Sequence, residues 1–265
     1  MLKDSIVLTN IFENSVLDQL EFNKDSNKVF VFTVNLTSYK QNISQFWECL
    51  SVEEKRQAKK YYTRYLTDQY IISHGILRCI LGYYTKQHPK DIEFIHNKYG
   101  KPFLKNNNIQ FNMSHSHDIV SYIVALNYKV GIDIELQDDN LDVQELSNLV
   151  FTPTECEFFT ALETKAKFEF FYNLWTKKES LIKANGQGLS YPINTIEAMT
   201  LSSGEKIFLD NEDNTFTQVW YCFPLEVAPN YSGVVAIENK IDKIVYLEMN
   251  NQRNIFDKVR SKCLR

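Results

Sequence analysis

The sequence predicts an α+β fold made of two similar halves, each a long helix packed on antiparallel strands. Stretches rich in β-branched and aromatic residues alternate with strong helical patterns, of which the longest cover 66–84 and 165–184. The stretch 122–126 also resembles 233–237, and similar segments recur in the same order along the chain. We therefore expect a pseudo-dimer within one chain, with residues 1–128 forming the N-terminal half and 129–265 the C-terminal half.

Strand and helix patterns follow one another through the first half. Ser51, followed three residues later by Glu54, has the spacing of a capping box, which predicts a helix start inside a helical pattern. Gly100-Lys101-Pro102 and 106–108 mark turns between strands. The predicted strands are 28–36, 91–95, 109–113 and 119–126, and the predicted helices are 44–64 and 66–84.

The second half repeats this alternation, beginning with a strand and ending with several. Gly186 and Gly188 follow the second long helical pattern and are expected to stop that helix. The predicted strands are 129–136, 194–201, 206–209, 216–226 and 231–238, and the predicted helices are 142–163 and 165–184.

Composition restricts the classes of function. The chain has 265 residues and a formal charge of −4, so no global positive field favours nucleic acid. Its five cysteines are scattered, without C-x-x-C spacing, which indicates reduced thiols rather than a disulfide framework or a zinc site. We see no signal peptide pattern and no apolar stretch of membrane-spanning length. We therefore expect a soluble, cytoplasmic protein that binds neither nucleic acid nor membrane.

The strand Val130–Leu136, with sequence VGIDIEL, is the first candidate for chemistry. Side chains alternate along a strand, so the four apolar residues share one face and Gly131, Asp133 and Glu135 share the other. Two carboxylates on one face offer the hard oxygen ligands that Mg²⁺ prefers, and the glycine would leave room for a ligand. An isolated D-x-E is, however, more often a solvated acidic face.

The second candidate is the helix that contains Trp175–Lys183, followed by Gly186 and Gly188. Glu179 and Lys183 are four residues apart and therefore share a helix face. They could be a weak surface ion pair. They could also supply a third carboxylate for a metal and a cation for a phosphate.

The third candidate, Phe111–His117, closes a strand with two serines and two histidines. No G-x-S-x-G motif surrounds Ser114 or Ser116, which argues against a hydrolase triad. His115 and His117 could bind zinc, but no third ligand has a suggestive spacing. A structural role, or a hydrogen bond to an anion, is more common for such a histidine.

Read in order, these motifs resemble those of the 4′-phosphopantetheinyl transferases. The motifs are G-K-P at 100–102, N-M-S-H-S at 112–116, G-I-D-I-E at 131–135 and W-x-x-K-E-S-x-x-K-x-x-G-x-G-L at 175–189. Each is weak to moderate alone, but four in one order make a strong signal over roughly residues 45–240. The resemblance is to the long, surfactin-synthetase-activating type, whose members are fused pseudo-dimers.

The resemblance implies a reaction and a set of site residues. The phosphopantetheinyl group of coenzyme A would pass to a serine of an apo acyl or peptidyl carrier protein, and 3′,5′-ADP would leave. Mg²⁺ would be held by Asp133, Glu135 and Glu179, while Lys183, together with Glu179 or a water it orients as the base, would serve catalysis. Coenzyme A contacts would come from Lys101, Ser114, His115, Lys178 and Arg64.

The sequence departs from the family where a basic residue is common, because it has Asp68-Gln69-Tyr70 there. The 3′-phosphate of coenzyme A therefore lacks an obvious partner, and Arg64 and Arg78 are the candidates. A second, milder departure is His117, where glycine is common.

Two other functions compete with the transferase. A Mg²⁺-dependent phosphohydrolase or nuclease could use the same acids and lysine, although no wide basic or aromatic groove is evident. A coenzyme A or nucleotide-binding module would need no complete reaction centre. Turnover with release of 3′,5′-ADP separates the enzyme from such a module, and a fused pseudo-dimer is expected to act as a monomer.

Overall fold

The computed structural model describes Phe22 and residues 27–199, 205–210 and 217–249. The predicted α+β class is confirmed, since long helices pack on sheets that are antiparallel apart from one pair of strands. None of the helices in this described part combines the length and the apolar character that a membrane span requires.

The described residues of the first half form three α-helices and five strands. The helices are α1 (Ile43–Cys49), α2 (Val52–Ala58) and α3 (Arg64–Thr85). The strands are β1 (Lys28–Asn35), β2 (Phe94–His96), β3 (Pro102–Leu104), β4 (Ile109–Ser116) and β5 (Ile119–Leu126).

The second half has a similar content. Its helices are α4 (Val143–Val150), α5 (Pro153–Thr160) and α6 (Thr164–Asn185). Its strands are β6 (Val130–Leu136), β7 (Glu205–Asp210), β8 (Thr217–Pro224), β9 (Tyr231–Ile237) and β10 (Lys243–Met249).

The internal repeat is visible in the topology. One sheet has the strand order β10-β1-β5-β4 and the other has β6-β9-β8-β7. In both, the first strand of the half pairs antiparallel with the strand that ends a hairpin, β5 or β9. In both, a 22-residue helix that ends at a left-handed residue, Lys86 or Gly186, lies between the first strand and the hairpin. The similarity of 122–126 to 233–237 therefore joins equivalent strands.

Several predicted element boundaries are wrong for identifiable reasons. The pattern 44–64 divides at Ser51, whose side chain caps α2 in the predicted capping box. The pattern 142–163 divides at Thr152, which forms a second capping box with Glu155 ahead of Pro153 in the first turn of α5. No strand covers 194–199, where a 3-10 turn at Ile193–Thr195 is followed by irregular chain; residues 200 and 201 lie outside the described part.

Strand β10 was not predicted. It pairs in parallel with β1 and extends the first sheet, although it is the last strand of the second half in sequence. The first sheet therefore draws on both predicted halves of the chain. No turn signal in the sequence marks the boundary between this seven-residue edge strand and the charged C-terminal segment, so the strand could not be recognised.

The described residues form a core of three parts, because each sheet buries both faces. Alternate residues of β1 pack against α3, and their neighbours Val29 and Val31 pack against the second sheet. In the second sheet, Val234 and Ala236 face α6, while Val235 faces the first sheet. The layers are therefore helix, sheet, sheet and helix.

A row of hydrogen bonds joins the edge strands β4 and β6. Three side chains of β4 accept hydrogen bonds from successive outward N–H groups of β6, at distances of 3.1, 3.4 and 3.0 Å. The pairs are Asn112 with Ile132, Ser114 with Ile134, and Ser116 with Leu136. This row, called the seam below, satisfies edge N–H groups that no neighbouring strand can reach.

Gly131 has a different role from the one expected. A Cβ atom there would lie 2.0 Å from the carbonyl oxygen of Ser180 and 2.5 Å from the amide nitrogen of Ala184. The missing side chain therefore lets the backbone of α6 pack directly on β6, rather than leaving room for a ligand.

Gly131→Ala should therefore separate α6 from β6 and destabilise the fold by about 1–3 kcal/mol, since the clash is with backbone atoms that cannot rotate away. The measurement is urea unfolding followed by circular dichroism. Gly188→Ala is the control, because no heavy atom lies within 4 Å of a Cβ there and only its φ of +55° is unfavourable. A Gly131→Ala protein as stable as the control would contradict the packing argument.

Candidate active site

Strands β4 and β6 and helix α6 enclose a cleft with a volume of ≈ 390 Å³. Six of the predicted site residues line it, together with an apolar and an aromatic side chain. The lining residues are Met113, Ser114, His115, Asp133, Glu135, Trp175, Glu179 and Lys183. Sequence-distant motifs from both halves of the chain therefore meet at one place.

Local periodicity explains how these side chains converge. Ile132 and Ile134 of β6 are fully buried between the sheets, so the alternation turns Asp133 and Glu135 toward α6 and β4. On α6, Glu179 and Lys183 are one turn apart and point to the same side.

Asp133 lies at the centre of the hydrogen-bond network. It is only 2% exposed, and its Oδ1 accepts hydrogen bonds from Lys183 Nζ at 2.6 Å and from Ser114 Oγ at 2.9 Å. Lys183 Nζ also donates to Ser114 Oγ at 2.9 Å. The other oxygen, Oδ2, is buried and has no hydrogen-bond partner among the described residues.

Glu135 lies further along the cleft and is held by two donors. Ser116 Oγ donates to Glu135 Oε2 at 3.0 Å, and the Trp175 side chain also donates to this carboxylate. Tyr231 in turn donates from its hydroxyl to the carbonyl of Ser116 at 3.1 Å. Ser116 and Trp175 belonged to the motifs that the sequence offered, but nothing in their spacing indicated that they orient a carboxylate.

Burial raises the pKa of all three carboxylates in the cleft, and neighbouring carboxylates raise the pKa of two of them further. Burial is the main cause that raises the pKa of Asp133, and the Lys183 ammonium opposes it. Burial and then the charge of Asp133 raise the pKa of Glu135. Burial raises the pKa of Glu179, and Asp133 and Glu135 raise it further. One lysine therefore leaves excess negative charge in the cleft, which favours an additional cation.

His115 borders the same cleft on the β4 side. Burial of part of its ring lowers the pKa of His115, and the Lys183 ammonium lowers it further. Its imidazole is therefore neutral near pH 7, with one N–H available as a hydrogen-bond donor.

The donor set suits a hard divalent cation, although its ligands are not assembled as a metal site. Within the described ranges, no group of three His, Cys, Asp or Glu side chains is arranged to hold a metal ion. Lys183 instead neutralises Oδ1 of Asp133. The buried Oδ2 of Asp133, which has no partner among the described residues, and the carboxylates of Glu135 and Glu179 provide oxygen atoms of the kind that such ions prefer.

Lys178 lies outside the cleft, contrary to the prediction that it contacts coenzyme A. Its side chain is fully buried, and its ammonium donates to Glu155 and to the carbonyl of Val150. Glu155 also accepts hydrogen bonds from the N–H groups of Thr152 and Ala198. The pair joins α6 to the start of α5, so no ligand entering from solvent reaches Lys178.

The other predicted cations are also absent from the residues that line the cleft. Lys101 donates from its side-chain nitrogen to two backbone carbonyls, that of Val130 at the start of β6 and that of Ala184 near the end of α6. Arg64 is exposed on α3 and pairs with Asp68 at 2.6 Å. Arg78 is 2% exposed and is held by Glu54 and by two backbone carbonyls.

A larger cleft of ≈ 1120 Å³ adjoins the first one, and Met113 lines both. The walls of this larger cleft include Tyr70 and His74, whose rings are stacked with their centroids 3.8 Å apart, and the carboxylates of Glu54 and Glu93. The sequence did not indicate this cleft, because its walls come from five separate stretches between residues 48 and 113 with no shared motif.

Family models match most of the chain. Residues 129–232 match the model described as the 4′-phosphopantetheinyl transferase superfamily, and residues 36–126 match the model described as 4′-phosphopantetheinyl transferase, N-terminal. The two matched ranges meet at the linker between β5 and β6.

Several proteins with similar sequences are named 4′-phosphopantetheinyl transferases. The 4′-phosphopantetheinyl transferase HetI of Nostoc sp. is 29% identical over 169 residues, which are 62% of this chain and 71% of that protein. The 4′-phosphopantetheinyl transferase Sfp of Bacillus subtilis (strain 168) is 27% identical over 72% of this chain and 83% of its own length. The 4′-phosphopantetheinyl transferase gsp of Aneurinibacillus migulanus is 34% identical over 54% of this chain and 59% of its own.

Lys178→Met should destabilise the protein by about 3–5 kcal/mol, because it leaves the carboxylate of Glu155 buried and unpaired. Denaturant unfolding measures this loss. Lys165→Met is the matched control, since Lys165 is exposed on the same helix. If Lys178→Met were as stable as the control, the buried pair would not hold α6 in place.

Glu179→Gln should stabilise the metal-free protein near neutral pH. Because the folded pKa of Glu179 is raised above its ordinary value of 4.5, its ionisation opposes folding as the pH rises through that raised value. In EDTA, the variant should melt above the unaltered protein at pH 7.5, and the difference should vanish toward pH 4.

Added Mg²⁺ should then raise the melting temperature of the unaltered protein more than that of Glu179→Gln. Glu169→Gln, at an exposed position of the same helix, is the control. It should melt with the unaltered protein in EDTA and gain as much from Mg²⁺ as the unaltered protein does. A destabilised Glu179→Gln protein in EDTA at pH 7.5 would contradict the proposed repulsion.

Proposed function

We propose that the cleft between β4, β6 and α6 is the active site of this chain, which belongs to the 4′-phosphopantetheinyl transferase superfamily and transfers the phosphopantetheinyl group of coenzyme A to a carrier protein. The observation that carries the proposal is the convergence of Asp133, Glu135, Glu179 and Lys183 on this one cleft. Phosphoryl transfer needs groups that bind and stabilise phosphate charge, and such a set supplies them.

We propose that Mg²⁺ completes the site. Asp133, Glu135 and Glu179 would hold the ion, and the unpartnered Oδ2 of Asp133 is the atom that most lacks a partner without it. When bound, Mg²⁺ supplies charge neutralisation for the pyrophosphate of coenzyme A during transfer. Without a cation, three carboxylates in the cleft would repel the same pyrophosphate.

Lys183, Ser114 and His115 would act on the phosphate groups directly. The Lys183 ammonium, whose stem leaves α6 beside the carboxylates, can move from Asp133 to a phosphate oxygen and stabilise negative charge there. The neutral His115 ring donates one N–H to a phosphate oxygen. Ser114, which already bonds Asp133 and Lys183, orients both.

The serine hydroxyl of the carrier would attack the β-phosphorus atom of coenzyme A. A new bond forms between the serine Oγ and phosphorus, the bond to the bridging oxygen breaks, and 3′,5′-ADP leaves. Glu179, or a water that it orients, is the proposed acceptor of the serine proton, because its carboxylate lines the cleft in which the transfer would occur.

Exposure distinguishes the two arginines that were predicted to contact the 3′-phosphate of coenzyme A. Arg78 is buried in its ion pair with Glu54, whereas the Arg64 side chain is 78% exposed and only paired with Asp68 on the same helix. Arg78 lines the larger cleft, but Glu54 and two backbone carbonyls already hold its guanidinium. Arg64 is the more exposed of the two, and we propose it as the contact.

The site also bears on the assembly and the partner. The cleft takes β4 from the first half and β6 and α6 from the second, so a single chain holds every proposed catalytic group. We propose that the protein acts as a monomer in the cytoplasm. Carriers of fatty-acid, polyketide and nonribosomal-peptide pathways are the candidate acceptors.

The test of the function is the intact mass of apo carrier proteins after incubation with the protein, coenzyme A and Mg²⁺. We expect a mass gain equal to one phosphopantetheinyl group, stoichiometric release of 3′,5′-ADP, and loss of both with EDTA. No gain on carriers from any of the three pathway types would refute the proposed reaction.

Asp133→Ala should abolish this gain, because it removes the central carboxylate of the cleft, while circular dichroism remains that of a folded protein. Lys183→Ala should lower the turnover number by about 10²-fold or more with little effect on carrier binding. Near-full Mg²⁺-dependent activity of Asp133→Ala would overturn the metal assignment, and equal losses of turnover and binding in Lys183→Ala would indicate a structural role for that lysine.

A further inference from the structure

The hairpin β2–β3 has a turn at residues 97–101 that one side chain organises. The Oδ1 atom of Asn97 accepts hydrogen bonds from the backbone N–H groups of Tyr99 and Lys101, both at 2.9 Å. Gly100 adopts a φ of +90° between them. Because Oδ1 faces into the turn, the amide nitrogen of Asn97 must face out of it.

The outward groups of this turn reach the end of α6. Asn97 Nδ2 donates to the carbonyl of Gly186 at 2.7 Å. Lys101 Nζ donates to the carbonyl of Ala184 at 2.9 Å and to the carbonyl of Val130, at the start of β6, at 3.1 Å. These three hydrogen bonds are called the clamp below.

The clamp fits the chemistry of a helix C-terminus. The last carbonyls of α6 have no partner within the helix, and the helix dipole places partial negative charge there, so side-chain donors are favourable. A Cβ atom on Gly186 would lie 3.0 Å from Lys101 Cδ and 3.2 Å from Asn97 Nδ2. Glycine at this position therefore lets both side chains cross the end of the helix.

The clamped carbonyls are adjacent to the proposed catalytic groups. Ala184 directly follows Lys183, and Val130 is three residues before Asp133 on β6. Between them, Gly131 brings the backbones of β6 and α6 into contact. One ammonium, that of Lys101, thus ties together the two elements whose side chains form the 2.6 Å pair of Lys183 and Asp133.

We propose that Asn97 and Lys101 are positioning residues that fix the end of α6 on β6, so that Lys183 and Glu179 are held over Asp133 during transfer. This role rests on the proposed site. It differs from the phosphate contact that the motif at 100–102 suggested for Lys101.

The surroundings of Lys101 support positioning rather than phosphate binding. Its ammonium faces two carbonyls, and the side chain is absent from the residues that line either cleft. Burial lowers the pKa of Lys101 to about 7, with Lys129 adding to the effect and Glu238 opposing it. A neutral amine still has two N–H donors, which match the two carbonyls.

Two variants remove the clamp in different ways. Asn97→Asp keeps the acceptor that organises the turn but replaces the donor to Gly186 with a carboxylate oxygen. Lys101→Met keeps most of the apolar stem and removes the ammonium. Lys105→Met is the matched control, because Lys105 is an exposed lysine just after the same hairpin and pairs with the exposed Glu93.

The readouts are steady-state kinetics of transfer, coenzyme A binding by calorimetry, and hydrogen exchange of the backbone amides at 182–187. We expect both clamp variants to lower kcat by about 10-fold or more while the Kd of coenzyme A changes less than about 2-fold. The double variant should lose no more than Lys101→Met alone, because both side chains act on the same helix end.

An increase in the Kd of coenzyme A of 10-fold or more in Lys101→Met, with Asn97→Asp unaffected, would overturn the proposal in favour of a phosphate contact. Unchanged kcat in Asn97→Asp would also overturn it. Hydrogen exchange reports on the clamp without any reaction: faster exchange at 182–187 in both variants, with Lys105→Met unchanged, supports the clamp even if the unaltered protein fails to transfer, and unchanged exchange refutes it.

Discussion

The seam between β4 and β6 is the constraint on which the functional site depends. The two packed sheets adjoin at the edge strands β4 and β6, and β6 would present unpaired N–H groups there. Side chains of β4 take the place of a neighbouring strand and accept from those groups. The same serines also donate to the carboxylates of β6, since Ser114 bonds Asp133 and Ser116 bonds Glu135. One set of short side chains therefore fixes the register of the halves and orients the acids.

Helix α6 completes the site because its faces are specialised. One face carries Lys178 into a fully buried pair with Glu155, and another presents Glu179 and Lys183 to the cleft. A buried ion pair adds little net stability relative to apolar residues, but it penalises any rotation that would separate its partners. Its adjacency to Glu179 thus makes the orientation of the helix, and not only its presence, part of the site. The direct packing at Gly131 sets the distance, and the buried pair sets the rotation.

The sequence predicted the parts of this arrangement that depend on periodicity and motif order. Alternation in VGIDIEL was enough to place Asp133 and Glu135 on one face, and helical spacing placed Glu179 with Lys183. The sequence could not distinguish the structural role of Lys178 from the site role of Lys183, because both belong to the same motif and only their burial differs. It also assigned the wrong reason to Gly131, since close backbone packing and ligand space call for the same residue. The strand β10 and the pairing of Asn97 with Gly186 are long-range contacts, and no local pattern reports them.

The electrostatics of the cleft give the final link between fold and reaction. Burying Asp133 beside Glu135 and Glu179 raises the pKa of each, so the folded protein stores repulsion that one lysine only partly relieves. A bound cation would relieve the remaining repulsion among the carboxylates. A cation that binds together with a polyanion would do the same. The proposed site would therefore favour a metal and a phosphate substrate jointly over either one alone. In this proposal the Lys183 ammonium would be free to leave Asp133 for a phosphate oxygen, because the cation would neutralise Asp133 in its place. Lys183 keeps its place on the helix during this exchange only if the end of α6 does not move. The hydrogen bonds to the carbonyls of Ala184 and Gly186 therefore matter to chemistry that occurs one helical turn away.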